Sequence, residues 1–502
     1  MNKIVIDSGF SQSRVALLEN GELVEYYIES KNFKRIVGNI YKGRVKNVLP
    51  GMQAAFVDIG LEKNAFLYVK DAIPQEILYD KKKTFKDILI KDVIKNGQEI
   101  IVQVTKEPMD NKGARVTTHL SFPGRYLVLM PNIDYIGISR RIEDKDERAR
   151  LRKIVEEIRP KGMGLIIRTE SENKEEKDLI EDLKYLLKLW HKIEKEKKLG
   201  FPPKILYKDL DLIYRTIRDF FTEDIEELII NDKENYNAIL EFLDLISPKL
   251  QDRVKYFDPG INIFSYYGIE KKIKEALSRK VWLKSGGYIV IDKTEALTSI
   301  DVNSGKYVGV NDLSQTIIKV NKEAAKEIAK QIRLRDIGGI IIIDFIDMEN
   351  KKYEQEILKL LESELSKDRV RTNVLGMTGL GLVEMTRKKV RKRISSILEK
   401  KCPYCNGLGM VLTPETVINN LENELKRISL HTNSEAVIVN VNKEVGRILN
   451  GDMKEYVERL ENALNLKIFI CKDDNIHSND YDVKYMGRLN KVKDILKEID
   501  SK

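Results

Sequence analysis

The stretch Gly38-Asn-Ile-Tyr-Lys-Gly-Arg-Val-Lys-Asn-Val48, continued by Ala54-Ala-Phe-Val-Asp-Ile-Gly60 and Ala65-Phe-Leu67, decides the fold of the first part of the chain. Short β-branched and aromatic runs alternate with polar residues, and Gly38, Gly43, Gly51, Gly60 and Gly97 punctuate them. Many short strands with glycine corners predict a small closed barrel over residues 36–120, with strands at Ile40–Val48, Ala54–Ile59, Asn64–Leu67 and Glu99–Lys106. The Lys- and Asp-rich segment Leu78–Lys95 reads as an insertion or loop.

Working outward, residues 1–35 predict three strands, Lys3–Asp7, Ser13–Leu18 and Leu23–Ile28, with Asn20-Gly21 as a hairpin turn. Without a helix they cannot close a core, so a later segment should pair with them. Residues 121–215 mix strands at Tyr126–Met130 and Gly164–Arg168 with a charged helix near Ser171–Lys195. Residues 208–280 read as helical and then mixed. Trp282–Asp292 and Ala296–Val302 predict strands. Ile317, Val320, Ala324, Ile328 and Ile332 give Asp312–Arg335 a helical period. Gly338-Gly339 ends that helix, and Ile340–Asp344 is a buried-type strand. A second amphipathic helix is expected over Lys352–Ser366, and residues 416–502 form a separate charged α/β segment.

The 502 residues exceed one ordinary core, so three or more domains are expected. With 42% hydrophobic and 33% charged residues, the chain is globular and not disordered. A net charge of +9 is compatible with a polyanionic partner without requiring one. The apolar run Ile340–Ile346 is interrupted by Asp344 and is far too short to span a bilayer. The opening residues carry too little apolar sequence for a signal peptide. Three cysteines, Cys402, Cys405 and Cys471, exclude a disulfide framework and suit a reducing compartment, so a cytoplasmic protein is expected.

Four scattered histidines, His119, His191, His431 and His477, offer no paired acid and base. Phosphodiester chemistry would then fall to metal ions held by carboxylates at strand ends. Two segments suit that role. Ser299-Ile-Asp-Val-Asn-Ser-Gly305 ends an apolar strand in a polar turn, and Ile340-Ile-Ile-Ile-Asp344 ends a buried one. A charge beside so much apolar chain costs several kcal/mol unless it is paired or metal-bound. Asp347, just beyond, reads as a supporting residue. Cys402-Pro-Tyr-Cys405-Asn-Gly-Leu-Gly409 can grip one face of a tetrahedral Zn²⁺, leaving two ligands to be found elsewhere. The competing redox C-x-x-C would need a thioredoxin-like strand-to-helix setting. The basic run Arg387-Lys-Lys-Val-Arg-Lys-Arg393 reads either as a solvated helix or as a phosphate-holding stripe.

The barrel stretch resembles an S1 domain of the OB-fold class. Together with Leu49-Pro-Gly-Met-Gln53, Tyr126-Leu-Val-Leu-Met-Pro131, Gly137-Ile-Ser-Arg-Arg-Ile-Glu143, Gly162-Met-Gly-Leu-Ile-Ile-Arg-Thr169, Gly286-Gly-Tyr-Ile-Val-Ile-Asp292, Ile332-Arg-Leu-Arg-Asp-Ile-Gly-Gly339, Ile343-Asp-Phe-Ile-Asp-Met348 and the cysteine segment, it resembles the ribonuclease E/G family, in its short, ribonuclease G-like form. The segments run in order from residue 36 to about 410.

That resemblance implies an α/β multidomain architecture. Residues 1–35 plus 215–279 would form a ribonuclease H-like subdomain into which the S1 barrel (36–120) and a 5′-sensor region (121–214) are inserted. A DNase I-like catalytic subdomain (280–400), a zinc link (401–415) and a small C-terminal domain (416–502) would follow. It implies Mg²⁺ on Asp301 and Asp344, with Asn303 supporting the attacking water or scissile phosphate. It also implies stacking of single-stranded RNA on Phe56 and Phe66 with Lys112 nearby, and capture of a 5′-monophosphate by Val128, Arg168, Thr169 and Arg371. A Zn²⁺ shared by Cys402 and Cys405 of two protomers would make at least a dimer. Downstream of Thr169 the chain departs from the family, with Glu170-Ser-Glu-Asn where small residues are usual. The activity implied is Mg²⁺-dependent internal cleavage of single-stranded RNA, leaving 5′-phosphate and 3′-hydroxyl ends, in ribosomal and transfer RNA processing and messenger RNA decay. A non-catalytic S1-type or ribosome-associated RNA binder is the alternative, but it would need neither aspartate. An exonuclease would not need an end pocket away from the cutting site.

Overall fold

A computed structural model describes the chain except for residues 33–34, 74–87, 109–111, 259, 306–312, 349 and 501–502. Residues 78–87 of the expected insertion therefore lie outside the described residues; Ile90–Val93 of its remainder is a short helix. The chain divides into two compact units, Met1–Ile397 and Leu398–Lys502.

The first unit is built on four sheets. The opening strands β1 (Asn2–Ser8), β2 (Gln12–Glu19) and β3 (Glu22–Ser30) pair antiparallel, and Asn20 (φ 50°) with Gly21 (φ 79°) makes the tight turn that the Asn-Gly pair predicts. The later partner is present. β14 (Glu227–Ile230) and β15 (Val254–Tyr256) join β1 in parallel, giving the order β15-β14-β1-β2-β3.

The barrel closes as expected. β4 (Ile40–Leu49), β5 (Ala54–Asp58), β6 (Ala65–Tyr68), β8 (Arg115–Thr117) and β7 (Glu99–Lys106) follow one another, and β7 returns to β4. This five-strand closure is consistent with an OB-type S1 barrel. At Gly43 a Cβ would lie 2.7 Å from a Val57 methyl and 2.9 Å from the Asp58 carbonyl, so only glycine lets β4 curl over β5. β13 (Lys204–Tyr207) adds an edge to β4, so a strand from the expected 121–214 segment completes the barrel's sheet.

β9 (Phe122–Pro123), β10 (Leu127–Pro131), β11 (Ile136–Ile138) and β12 (Met163–Ile167) form a four-stranded sheet. Helix Glu176–Lys197 buries Leu179, Leu183, Leu186, Trp190 and Ile193 in the core that this sheet shares. A helix at Lys145–Ile158 was not legible from apolar period, because only Leu151 and Val155 of it are buried. Asp144 starts it by accepting the Asp146 N–H at 2.9 Å.

The fourth sheet runs β16 (Lys280–Trp282), β17 (Tyr288–Lys293), β18 (Leu297–Asn303), β19 (Gly339–Asp344), β21 (Leu382–Arg387), β20 (Thr372–Met377). The single strand expected over Trp282–Asp292 is thus a hairpin. Lys284-Ser-Gly-Gly287 turns the chain, and Gly286 adopts φ 96°. Helices Leu313–Leu334 and Lys351–Leu365 cover one face.

In the second unit β22 (Ala436–Val441) lies between β23 (Lys467–Lys472) and β24 (Tyr481–Gly487), with helix Pro414–His431 packed over an apolar core. Among the described residues no helix is long and apolar enough to cross a membrane.

Candidate active site

Alternation along β17, β18, β19 and β21 sends Ile289, Ile300, Ile341, Ile343, Val383 and Met385 into the core beneath the two helices. The residues between them face outward, and Asp301, Asn303 and Asp344 are among these. β18 and β19 are parallel, and their register pairs Asp301 directly with Asp344. The two carboxylates meet although they lie 43 residues apart in the chain. Asn303, two residues on, donates its amide to Asp301 Oδ2 at 2.8 Å and holds that carboxylate in one orientation.

The electrostatics fit a cation. Partial burial, then the neighbouring charges of Asp301 and Asp347, push the Asp344 carboxyl above its usual range. A divalent ion between the strands would relieve that repulsion. Among the described residues no group of three or more acidic, histidine or cysteine side chains converges, so Asp347 acts on Asp344 through charge and does not complete a ligand trio. Two exposed carboxylates suit Mg²⁺, which keeps several waters and takes few protein ligands.

Two supports were not visible in the sequence. Asn321, fully buried in helix Leu313–Leu334, donates to the Ile346 carbonyl at 2.8 Å and accepts the Ile346 N–H at 3.1 Å. It clamps the chain just after Asp344. At Gly287 a Cβ would lie 2.8 Å from the Asn303 carbonyl, so the β16–β17 turn packs against the end of β18 only because that residue is glycine.

In the barrel, Phe56 and Phe66 are register partners with ring centroids 6.0 Å apart, edge to face. Both are half-buried, while Ala55, Val57, Ala65 and Leu67 point inward and are buried. Lys112 is exposed, next to the undescribed residues 109–111.

Arg168 and Thr169 follow β12, and Val128 lies on the neighbouring β10, paired with Ile166. The Arg168 guanidinium is engaged. It donates to Asp219 Oδ1 at 2.8 Å and to the Gly124 carbonyl. Burial opposes ionisation of Asp219, but Arg218 and Arg168 together hold its carboxyl below the usual range. The Thr169 and Ser139 hydroxyls are 3.0 Å apart. Asp182 locks the loop beside this group, accepting the N–H groups of Arg125, Tyr126 and Leu127 at 2.8–3.0 Å. Arg369 donates to the Asp219 carbonyl at 2.7 Å, whereas Arg371 is exposed just before β20.

The basic run does not take the helical course. It forms no helix before Ile394. Arg387 ends β21 at 2% exposure, bound to Asp368 at 2.7 Å and Asp336 at 2.6 Å. Arg391 pairs with Asp336, and Arg393 donates to Thr298 Oγ1. These three arginines tie the subdomain together, while Lys388, Lys389 and Lys392 of the same run are exposed.

In the second unit Cys402 and Cys405 flank a turn. The Gly409 N–H donates to Cys405 Sγ at 3.3 Å. That bond, with one from Gly407, draws the Cys405 thiol below its usual range. Backbone N–H groups aimed at sulfur stabilise thiolate, the form a metal requires. Cys471 lies in β23, packed toward Ala436 and Ile438, and no third ligand joins the pair among the described residues.

Residues 121–390 match the Ribonuclease E/G family, and residues 401–486 match the RNase E/G thioredoxin-like domain. The thioredoxin-like description means that domain type does not separate the zinc and redox readings. The pair itself lies in a turn with no strand before it and nine residues ahead of helix Pro414–His431. The chain is 41% identical to Ribonuclease G of Escherichia coli (strain K12) over 478 residues, covering 95% of this chain and 98% of that protein. It is 42% identical to Ribonuclease G of Haemophilus influenzae over 480 residues, again 95% and 98%. Against Ribonuclease E of Escherichia coli (strain K12) the identity is 35% over 474 residues, 94% of this chain and 44% of that protein.

Proposed function

The chain belongs to the ribonuclease E/G family and is an endoribonuclease, and from that premise we propose that it hydrolyses single-stranded RNA with Mg²⁺ held between Asp301 and Asp344. The observation that carries this reading is the register pairing of the two carboxylates on an open sheet face, with Asn303 bonded to one of them. When bound, the ion supplies Lewis acidity and lowers the pKa of attacking water.

The chain's residues do the rest. Asp301 and Asp344 would hold the ion, and the Asn303 amide keeps the Asp301 carboxylate from rotating away. Asn321 stops the segment carrying Asp344 and Asp347 from shifting. Water adds to phosphorus opposite the 3′ oxygen, the P–O3′ bond breaks, and the leaving oxygen takes a proton. The products are a 5′-phosphate and a 3′-hydroxyl, and no 2′-hydroxyl attack is involved.

Phe56, Phe66 and Lys112 would hold the strand by stacking and phosphate contact. Arg168, Thr169 and Val128, with Arg371, would receive a 5′-monophosphate and so favour processed ends. Arg168 would then share its guanidinium between that phosphate and Asp219. Cys402 and Cys405 would supply half of a tetrahedral Zn²⁺ site completed by a second protomer. The same reading makes the protein cytoplasmic and assigns it to ribosomal and transfer RNA processing and messenger RNA decay. A purely RNA-binding role is disfavoured because two adjacent carboxylates would repel the phosphates they face.

Mapping the ends tests the proposal. Incubation of an internally labelled, 5′-monophosphorylated oligoribonucleotide with Mg²⁺ should give internal cuts with 5′-phosphate and 3′-hydroxyl ends, faster than with a 5′-triphosphate. Products bearing 2′,3′-cyclic phosphate, or undiminished cleavage in excess EDTA, would refute it.

A further inference from the structure

The open face of the catalytic sheet continues beyond the aspartates. Across five strands, Lys280, Val290, Asp301, Asp344 and Leu382 are register-matched and point the same way. The row beside it runs Trp282, Tyr288, Asn303. Trp282 is therefore two strands from Asn303, roughly 10 Å at ordinary strand spacing.

Three features of this corner call for a ligand. Trp282 is 58% exposed, at a position where alternation would normally place a polar residue on a solvent-facing strand. It meets Tyr288 edge to face at 5.3 Å. Lys280 lies 4.1 Å from the Trp282 ring centroid and 3.5 Å from that of Tyr288. Its neighbour Arg279 is ion-paired with Asp292, while Lys280 has no acidic partner among the described residues. An exposed tryptophan beside a half-buried tyrosine, with a lysine that contacts the rings but no carboxylate among the described residues, is the chemistry that takes up single-stranded nucleic acid, the base stacking and the ammonium meeting phosphate. The corner is also continuous with Asn303 and the carboxylate pair, so a strand crossing one reaches the other.

We propose that Trp282, Tyr288 and Lys280 form a subsite for a nucleotide flanking the scissile phosphate, with Trp282 stacking the base and Lys280 contacting the backbone. This rests on the catalytic reading of Asp301 and Asp344. It is separate from the barrel aromatics, which lie in another sheet.

The chain has two tryptophans, and Trp190 is 4% exposed, so Trp282 is a built-in reporter. The full-length protein in excess EDTA, which withholds the ion that cleavage requires, is titrated with a single-stranded oligoribonucleotide. Emission should be quenched and acrylamide access reduced, and both responses should vanish in Trp282→Phe. With Mg²⁺ in place of EDTA, Trp282→Ala and Lys280→Ala should each raise KM about fivefold or more with kcat nearly unchanged, the size expected for one stacked base. Should an alanine variant fail to fold, the wild-type and Trp282→Phe titrations decide. If the oligonucleotide binds by anisotropy and wild type cleaves, yet Trp282 emission and acrylamide access do not change, the subsite is refuted while the catalytic reading stands. If Trp282 responds but wild type does not cleave RNA, the catalytic reading fails instead.

Discussion

Asp301 and Asp344 are register partners on strands about 5 Å apart, which makes their like charges neighbours. Such proximity costs on the order of 1–3 kcal/mol when both are ionised and no cation intervenes. Replacing either by Asn should therefore leave the apo-protein's Tm within about 2 °C of wild type, or raise it, because both side chains are exposed. A drop of many degrees would mean that these residues are structural. Their pairing was partly legible, since each ends an apolar run, but only the family resemblance separated them from ordinary turn aspartates. The family resemblance implied a phosphate-binding role for Arg168, but its bond to Asp219 was not legible, because the two lie 51 positions apart in the chain. Arg168→Ala should reduce the preference for 5′-monophosphate over 5′-hydroxyl RNA roughly tenfold or more, measured as a ratio of kcat/KM, which is the scale of one charge-assisted hydrogen bond.

At the scale of elements, the helix Leu313–Leu334 positions the site by more than its apolar face. Its apolar period was visible in the sequence. Asn321 was not, because its partner is the backbone of Ile346, and no side-chain pattern records such a bond. Asn321→Ala leaves the partly buried N–H and carbonyl of Ile346 without these partners, at a cost of about 1–3 kcal/mol. A shift of the following segment should lower kcat by up to about 100-fold with KM little changed. An unchanged kcat would deny Asn321 its positioning role. The β16–β17 hairpin was misread as one strand because Val281, Ile289 and Ile291 are apolar across a turn marked only by Ser285-Gly286-Gly287. The cysteine turn makes its own prediction. Metal analysis should find about one zinc per two chains, and Cys402→Ser should lose both the zinc and the dimer in sedimentation, consistent with a four-ligand site. Zinc-free dimers would sink that link.

Across the first unit, the sheets are tied by charges as well as cores. Glu25 on β3 is 4% exposed and accepts from Arg333 of helix Leu313–Leu334 at 2.7 Å, while Tyr27 donates to its other oxygen. Burial opposes its ionisation, but the Arg333 charge and the Tyr27 hydroxyl outweigh this and hold the carboxyl below the usual glutamate range. A depressed folded-state pKa gives stability that is complete above the unfolded-state range and is lost as pH falls toward the folded value. Tm should thus fall on acidification through that window. Glu25→Gln should flatten that limb while costing about 3 kcal/mol at neutral pH. The barrel and the opening hairpin could be read from alternation and glycine. A later partner for the opening strands was expected, but its identity and register as β14 beside β1, and the addition of β13 to the barrel's sheet, could not be read, since both are pairings over long sequence separation.

The most direct test of the whole account is cleavage of a 5′-monophosphorylated single-stranded RNA by wild type, Asp301→Asn and Asp344→Asn, with folding checked by Tm. Both substitutions should reduce kcat/KM by at least about 100-fold while the protein stays folded and still binds RNA. Cleavage at the wild-type rate by both variants would contradict the assignment of the chemistry to this pair.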